Sequence, residues 1–518
     1  MKWIEGRFGR KHDRAMIPNL VIQAGGKGTR LSPLTNNMPK ALVPVWGKPL
    51  IFHALDKFPN SRVVIIGDER FDVLERYLAA FCLHPFYEVV KASGKGTCAG
   101  LAQAANLLDG SLPVFLTWGD LLYLRDPLPL FHDSDQPAIG VSGDFPCRWY
   151  FHNGVLKNYR STEYGVAGCF WFPRTSFLRQ VPESGEFVRY LSAMPKLNAV
   201  GIRVGSVCKE VNTLDDYIRI QASPFACRPF NRIERLADGT LEKVPVDEQG
   251  RQLAELEENW YSAGRQRHLD CIPKIYSVKP LRMEYINGVE PFLINDQRQQ
   301  QHYLSLICQA IRTLHEASPP VVADLESLES AYIRKTRDRL AKVLSLIPFV
   351  ERKKIKINGR ACPNPLFRWD ELAKTVRAYY PSKFRFIHGD PTFSNILLAK
   401  ERVVFIDPRG YFGNTALYGD PAYDWAKLLY SVQTNYDQFN RRKFDLRISS
   451  EEVTLKIASS GWEHLADQLV RESNCDPLYL RLILGIIWLS LTTYAWDDYD
   501  KICGAFYKGA EVLRDTWG

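Results

Sequence analysis

Short apolar runs bounded by polar or glycine-rich segments punctuate the first part of the chain. Leu20-Val21-Ile22, Arg62-Val63-Val64-Ile65-Ile66 and Val114-Phe115-Leu116-Thr117 read as strands. Continuous apolar runs of this length suit strands that are covered on both faces. Between them, Phe71 to Phe81 reads as a helix, and Gly94–Gly100 opens another that runs through Leu108. Strands that alternate with helices predict an α/β domain with a mostly parallel, doubly wound, Rossmann-like sheet. In such a sheet, ligands sit beyond the carboxyl ends of the strands. The turn from Gly25 to Arg30 and the Trp118-Gly119-Asp120 segment both fall at such ends.

The pattern changes around Ala222–Pro229, where Ser223-Pro224 and Arg228-Pro229 read as a linker. The expected division is a first domain at 1–222, a linker at 223–229 and a second domain at 230–518. Asn231–Leu236 and Thr240–Val244 flank Asp238-Gly239, which predicts a β-hairpin. A charged, helix-favouring segment runs from Asp247 to Tyr261, and Leu281–Gly288 reads as a strand leaving into a hinge. The longest uncharged apolar stretch, Leu482 to Trp496, is short for a bilayer and holds Gly485 and hydroxyl residues. It reads as a buried helix, so no stable membrane insertion is expected.

A chain of 518 residues is too long for one core. The net charge of +9 is modest and spread out. Basic clusters at Arg7, Arg10, Lys11 and Arg14, and at Arg352-Lys353-Lys354, are followed by no nucleic-acid module. Nucleic acid is therefore not an expected partner, whereas anionic nucleotides suit the charge equally well. The 11 cysteines show no CxxC pair and no zinc spacing. Together with the lack of an apolar signal core in residues 1–18, they predict reduced thiols in a cytoplasmic protein. Oligomerisation stays open.

Chemistry enters with the stretch Leu20–Leu50. Ala24-Gly25-Gly26-Lys27-Gly28-Thr29-Arg30-Leu31 follows the first strand, and Pro39-Lys40 follows in turn. Glycines let a backbone approach phosphate oxygens closely, and Arg30 and Lys40 add positive charge on either side. The string GGxGTRLxPLT followed by PKxLxPV resembles the sugar-phosphate nucleotidylyltransferases and the related phosphocholine cytidylyltransferases. A carboxylate at a strand end beside such a turn, Asp120, suits Mg²⁺, and the same aspartate holds the metal in those families. The resemblance implies nucleotide contacts at Ala24, Gly25, Gly26, Gly28, Thr29, Gly96 and Thr97, and catalytic roles for Arg30 and Lys40. It makes Lys209–Tyr217 the second metal segment, with Glu210 and Asn212 as ligands, although Asn212 stands where relatives carry an acid. Val166-Ala167-Gly168-Cys169-Phe170 matches a strand of those families, but the Glu-Lys-Pro acceptor block that usually precedes it is missing, which leaves Lys157 and Arg160 as candidates for an acceptor phosphate.

The second part carries Phe386-Ile387-His388-Gly389-Asp390, Asn395, and Val403-Val404-Phe405-Ile406-Asp407-Pro408-Arg409. This HGDxxxxN and IDxR pattern resembles the aminoglycoside phosphotransferase and choline kinase family, relatives of the protein kinases. Phosphoryl transfer needs a carboxylate for the attacking hydroxyl and oxygen ligands for Mg²⁺ on the ATP phosphates. The resemblance implies an α+β, kinase-like bilobal domain, with a small lobe at about 230–288 and a large lobe at about 289–518. Asp390 is the implied base, and Asn395 and Asp407 are the implied metal ligands. Lys243 and Glu257 resemble the phosphate-binding lysine and its helix partner, with Glu255 and Glu258 as competitors; Glu284 joins the nucleotide site at the hinge. Gly419–Ala426 adds another piece of the pattern. Trp496–Asp500 reads as a polar helix end ahead of an aromatic cage for a cation.

The two resemblances together imply an ATP-dependent kinase for a small hydroxyl compound, a sugar or an amino alcohol. They also imply transfer of an NMP from a second NTP, CTP or UTP favoured, to the resulting phosphate. The product expected is a nucleotide-activated precursor for a bacterial surface glycan such as a capsule. The alternative is a single-activity kinase whose first domain only binds nucleotide. A protein kinase is disfavoured, because no APE-like segment follows Asp407.

Overall fold

The computed structural model describes residues 17–131, 135–145, 147–194, 197–222, 231–246 and 248–517. The linker at 223–229, the basic cluster at Arg7–Arg14 and Asp247 lie outside them. The chain divides into two compact units, 1–223 and 224–518.

The first unit is built on a nine-stranded sheet. Tyr87–Lys91, Val63–Gly67, Asn19–Gln23 and Val114–Trp118 lie side by side and parallel. Every residue of Val63–Gly67 is buried, as a strand covered on both faces requires. Beyond this block the direction reverses. Gly165–Phe172 pairs antiparallel with Val114–Trp118 and with Ala138–Ser142, so the sheet is mixed rather than parallel throughout. Val200–Arg203 pairs parallel with Ala138–Ser142, and the hairpin of Tyr150–His152 and Val155–Lys157 completes the far edge. Phe71–Phe81 forms the expected helix and buries Val73, Leu74, Tyr77 and Leu78 on one face. Each is worth about 1.5–3 kcal/mol relative to exposure. The helix after Gly100 is shorter than expected, Leu101–Asn106 rather than through Leu108.

The second unit opens with a four-stranded antiparallel sheet in the order Asn231–Arg235, Leu241–Pro245, Leu281–Met283, Ile275–Val278. The helix Glu248–Gln266 follows its second strand and runs five residues beyond Tyr261, the end read from the sequence. Gln297–Glu316, Lys335–Val343, Pro421–Val432, Pro477–Leu491 and Tyr499–Leu513 form a helical lobe. The hairpin Ile396–Ala399 and Arg402–Phe405 is preceded directly by Asn395 and followed by Asp407. The strand-then-helix arrangement is that of a bilobal kinase-like fold. The helix Pro477–Leu491 buries every residue from Leu482 to Ser490, as the apolar run predicts, but it ends at Leu491, short of Trp496. No helix among the described residues is long and apolar enough to cross a membrane. The described cysteines are free, most of them buried.

Candidate functional sites

In the first unit a cavity of about 310 Å³ opens at the carboxyl ends of the parallel strands. Gln23 and Trp118 end two of those strands, and Ala24, Gly25, Asp68, Ala92 and Asp120 follow directly. The strand-end amides stay in register past the strands: Ala24 N–H donates to Ile66 O at 2.7 Å and Gly119 N–H to Gln23 O at 2.8 Å. Gly25 is needed where it stands, since a Cβ there would lie 2.8 Å from Asp68 Cβ. Gly28 has φ 66°, and a Cβ would meet Thr35 Cγ2 at 2.8 Å. The loop is thereby folded tightly back so that Pro39 and Lys40 reach the strand ends.

Lys40 is only 8% exposed, so its ammonium must be partnered. Its Nζ donates to Asp120 Oδ2 at 2.6 Å and to Asn212 Oδ1 at 2.9 Å. Arg30 Nη2 donates to the same Asn212 oxygen at 2.6 Å. The two-stranded pairing of Cys208–Glu210 with Leu121–Tyr123 brings this segment to Asp120, and Val211 N–H donates to Asp120 O at 3.0 Å. The Glu210 carboxyl is pushed up to about 7 by burial and then by the Asp120 charge, against the pull of Lys40 and Arg30. Asn212 thus accepts from both cations without adding a third carboxylate.

The donor set suits a hard divalent cation. Asp120 Oδ1 is buried with no hydrogen-bond partner and Glu210 brings a second carboxylate to the same cluster, while the Asn212 oxygen could ligate only by giving up its bonds from Arg30 and Lys40. No cluster of three or more acidic, His or Cys side chains among the described residues forms a closed cage. The remaining ligands would have to come from phosphates and water, as is usual for Mg²⁺. Gly96 and Thr97 also line the cavity. Gly28 and Thr29 belong to the loop but are not among its lining. Lys157 and Arg160 are exposed at the sheet-edge hairpin and do not line it either. The side chains that close the cavity and that sequence reasoning missed are Gln23, Asp68, Trp118 and Glu186. Gln23 Oε1 and Trp118 Nε1 are buried without partners. No motif residue flags them; only the strand-end rule points at Gln23 and Trp118.

In the second unit, Lys243 Nζ donates to both oxygens of Glu257, at 2.9 and 2.7 Å, and to Asp407 Oδ1 at 2.8 Å. Burial lowers the lysine's pKa, but Asp407 and Glu257 outweigh it and leave it above the ordinary value. Glu258 instead faces Lys279 at 3.8 Å. Asn395 Nδ2 donates to the Asp390 carbonyl at 2.9 Å and to its carboxylate at 3.3 Å, which leaves the amide oxygen to accept or to ligate. Asp390 Oδ1 also pairs with Lys427 Nζ at 2.9 Å. Asp424, fully buried, accepts from His388 N–H at 2.8 Å and Gly389 N–H at 2.7 Å, and so fixes the loop that presents Asp390. His388 is buried, which lowers its pKa and keeps it neutral; its Nε2 lies 3.0 Å from Ile406 O. It ties the Asp390 loop to the Asp407 loop. Asn395 and Asp407 suit Mg²⁺ on the same grounds as above: oxygen donors, few carboxylates, and phosphates to complete the shell.

A cavity of about 340 Å³ is lined by Lys243, Glu257, Asp390 and Asp407. Glu284 is not part of it. Its carboxylate is taken by Arg402 at 3.1 Å and by Lys274 N–H at 3.0 Å, and its own N–H by Lys274 O, so neither is open to a nucleotide. Nor do the acids after Trp496 form a cation cage. Asp498 caps the helix Tyr499–Leu513 and binds Arg442, which also reaches Asp500 at 3.1 Å.

Residues 19–141 match the family model for nucleotidyl transferases, and residues 277–451 match that for the phosphotransferase enzyme family. The chain joins one transferase domain to another. Among curated proteins, the first domain is 28% identical over 125 residues to a bifunctional protein GlmU of Methanococcus vannielii, covering 24% of this chain and 28% of that one. It is 30% identical over 107 residues to a UTP–glucose-1-phosphate uridylyltransferase of Haloferax volcanii, covering 20% and 43%. The chain therefore spans less than half the length of these relatives. Among solved structures, an inositol-1-phosphate CTP transferase from T. maritima has TM-score 0.34 and 18% identity, over 40% of this chain and 98% of that one. A CTP:phosphocholine cytidylyltransferase from Streptococcus pneumoniae has TM-score 0.31 and 21% identity, over 39% and 97%.

Proposed function

We propose that the protein is a bifunctional enzyme that phosphorylates a small hydroxyl compound with ATP and then couples the phosphate to an NMP, releasing pyrophosphate. The observation that carries this reading is that each unit gathers its own phosphate-handling cluster beside its own cavity, Lys40–Asp120–Asn212 in one and Lys243–Glu257–Asp407 with Asp390 in the other. The chemistry of the two reactions is complementary. One makes a phosphate monoester; the other consumes one.

In the phosphotransferase site Lys243, held by Glu257, grips the ATP phosphates. Asp390 orients the acceptor hydroxyl and accepts its proton as the oxygen attacks the γ-phosphorus and ADP departs. Asn395 and Asp407 would hold Mg²⁺. In the nucleotidyl transferase site the Ala24–Gly26 backbone and Thr97 border the nucleotide, and Arg30 and Lys40 neutralise charge on the attacked α-phosphate and on the leaving pyrophosphate. Asp120, with Glu210 and Asn212, would hold Mg²⁺ there. Mg²⁺ held by these residues would supply Lewis-acid charge withdrawal from phosphate oxygens, easing attack at phosphorus. CTP or UTP is the favoured second nucleotide, and a precursor of a bacterial surface glycan is the favoured product. The test is incubation of the protein with ATP, CTP, UTP and GTP against a panel of hydroxyl acceptors, with mass detection. A phosphate ester followed by its nucleotide conjugate supports the reading. Phosphorylation without any pyrophosphate release, with every NTP, would favour a first domain that only binds nucleotide.

A further inference from the structure

The cavity around Asp390 is lined by five basic side chains and three acidic ones. Lys243 serves the ATP phosphates. Lys335, Arg339, Arg409 and Lys427 crowd the other side of the catalytic carboxylate. Only Lys427 is balanced there, by Asp390 itself at 2.9 Å. Among the described residues, Lys335, Arg339 and Arg409 make no ion pair with a carboxylate. Arg409 donates to the Tyr423 hydroxyl at 2.9 Å and the Tyr411 hydroxyl at 3.2 Å. Arg339 donates to Ser490 O at 2.8 Å and to Ser490 Oγ at 3.0 Å. Partly buried cations without counter-charge are costly to assemble, because each disfavours the others. Lys335 shows it: burial, then Arg409, Arg339 and Lys427, push its pKa well below the ordinary value.

A second observation points the same way. Tyr430, only 1% exposed, lines this cavity with a hydroxyl that has no hydrogen-bond partner. A buried hydroxyl left unpaired costs about 1–3 kcal/mol unless something else fills its place. The wall is therefore built of spare donors: two guanidinium groups, an ammonium and a phenol. The basic side chains sit on the large-lobe helices Lys335–Val343 and Pro421–Val432 and just after Asp407, and they line the same cavity as Asp390.

We propose that the hydroxyl acceptor of this site is itself an anion, a sugar or polyol that carries a carboxylate or a phosphate, bound through Lys335, Arg339 and Tyr430. The inference rests on the phosphotransferase reading above and narrows its acceptor away from amino alcohols, whose charge this wall repels. The acceptor O–H oxygen forms the new bond to the γ-phosphorus. The bond between that phosphorus and the β,γ-bridging oxygen breaks, ADP leaves, and the hydroxyl proton passes to Asp390.

The test uses the full chain with ATP and matched acceptors: glucose, glucuronate, glucose 6-phosphate and glucosamine, then glycerol, glycerate, glycerol 3-phosphate and choline. Phosphate-ester formation is read by mass spectrometry, and binding by thermal melting. The acids should be phosphorylated preferentially, and the carboxylate and phosphate members separate the two sources of charge. In Lys335→Gln, and separately in Arg339→Gln, the KM for the acid should rise roughly 10- to 100-fold with the KM for ATP unchanged. The unchanged ATP value also shows that the variant is folded. Preference for neutral or cationic members, or variants that raise the KM for ATP instead, would overturn the inference while leaving the phosphotransferase reading in place. If no member of the panel is phosphorylated and no acid shifts the melting temperature, both fall.

Discussion

Asp390 receives Lys427 on one oxygen and Asn395 on the other, and its backbone carbonyl also accepts from Asn395, so its carboxylate is aimed rather than free to rotate. Asp390→Asn should lower acceptor phosphorylation by roughly 100- to 10,000-fold, the usual cost of losing a positioned base, while pyrophosphate release from pre-phosphorylated acceptor is unchanged. Steady-state rates of both reactions on one preparation check this. Asp120→Ala should do the reverse, because it removes both the anion that holds Lys40 and the buried oxygen left for a cation. Pyrophosphate release should collapse while ADP production continues. Glu210 adds a pH signature. Its carboxyl is raised from 4.5 to about 7, so the folded protein binds the extra proton and the unfolded chain does not. A group raised in this way costs stability as pH rises through the window from 4.5 to about 7. Glu210→Gln should therefore gain in melting temperature relative to the parent at pH 8 and not at pH 4, and saturating Mg²⁺ should shrink the gain. A difference independent of pH would contradict the placement of Glu210 beside Asp120. Sequence alone named Glu210 and Asn212 as a pair. What it could not supply was that Asn212 accepts from both Arg30 and Lys40, contacts closed across 182 and 172 residues of chain.

Among the elements, what was legible depended on local pattern. The buried strand at Val63–Gly67, the amphipathic helix Phe71–Phe81 and the hairpin about Asp238-Gly239 follow from periodicity and turn chemistry, and all three form. Thr213 caps the helix Leu214–Gln221, with Asp216 returning the bond, so the acids after Asn212 start a helix rather than ligate. The antiparallel strand Gly165–Phe172 was readable as a strand but not in its direction, because direction is set by long-range pairing that no local run encodes. The same limit hid the kinase-site wall. Lys335 and Arg339 look like ordinary surface charges on a charged helix until that helix packs beside Arg409 and Lys427. The helix Pro421–Val432 also braces the catalytic loop, because it holds Asp424 under the HGD motif. Asp424→Ala leaves two buried N–H donors unpaired, at roughly 1–3 kcal/mol each. It should lower the thermal stability of the second unit and slow phosphorylation, with nucleotidylyl transfer untouched. Chemical denaturation followed by fluorescence, alongside both activity assays, checks this; an unchanged midpoint would contradict the bracing role.

Across the whole chain, the proposed reading gives two clusters built from unrelated motifs the same chemical groups to handle, phosphate oxygens. Each keeps its acids few and its lysine paired, Lys40 with Asp120 and Lys243 with Glu257 and Asp407. The proposal that the product of residues 224–518 is the substrate of residues 1–223 rests on that complementarity, with the unit boundaries as observed. Fusion keeps the two activities in fixed proportion whatever route the intermediate takes. The decisive experiment is one reaction containing the protein, ATP, a second NTP and the free acceptor, with products followed by mass over time. The acceptor monophosphate should rise first and fall as the nucleotide conjugate appears. Asp390→Asn should abolish both, and Asp120→Ala should leave the monophosphate to accumulate. If the monophosphate accumulates without conversion in the parent protein with CTP, UTP, GTP and ATP alike, the two domains do not act in sequence.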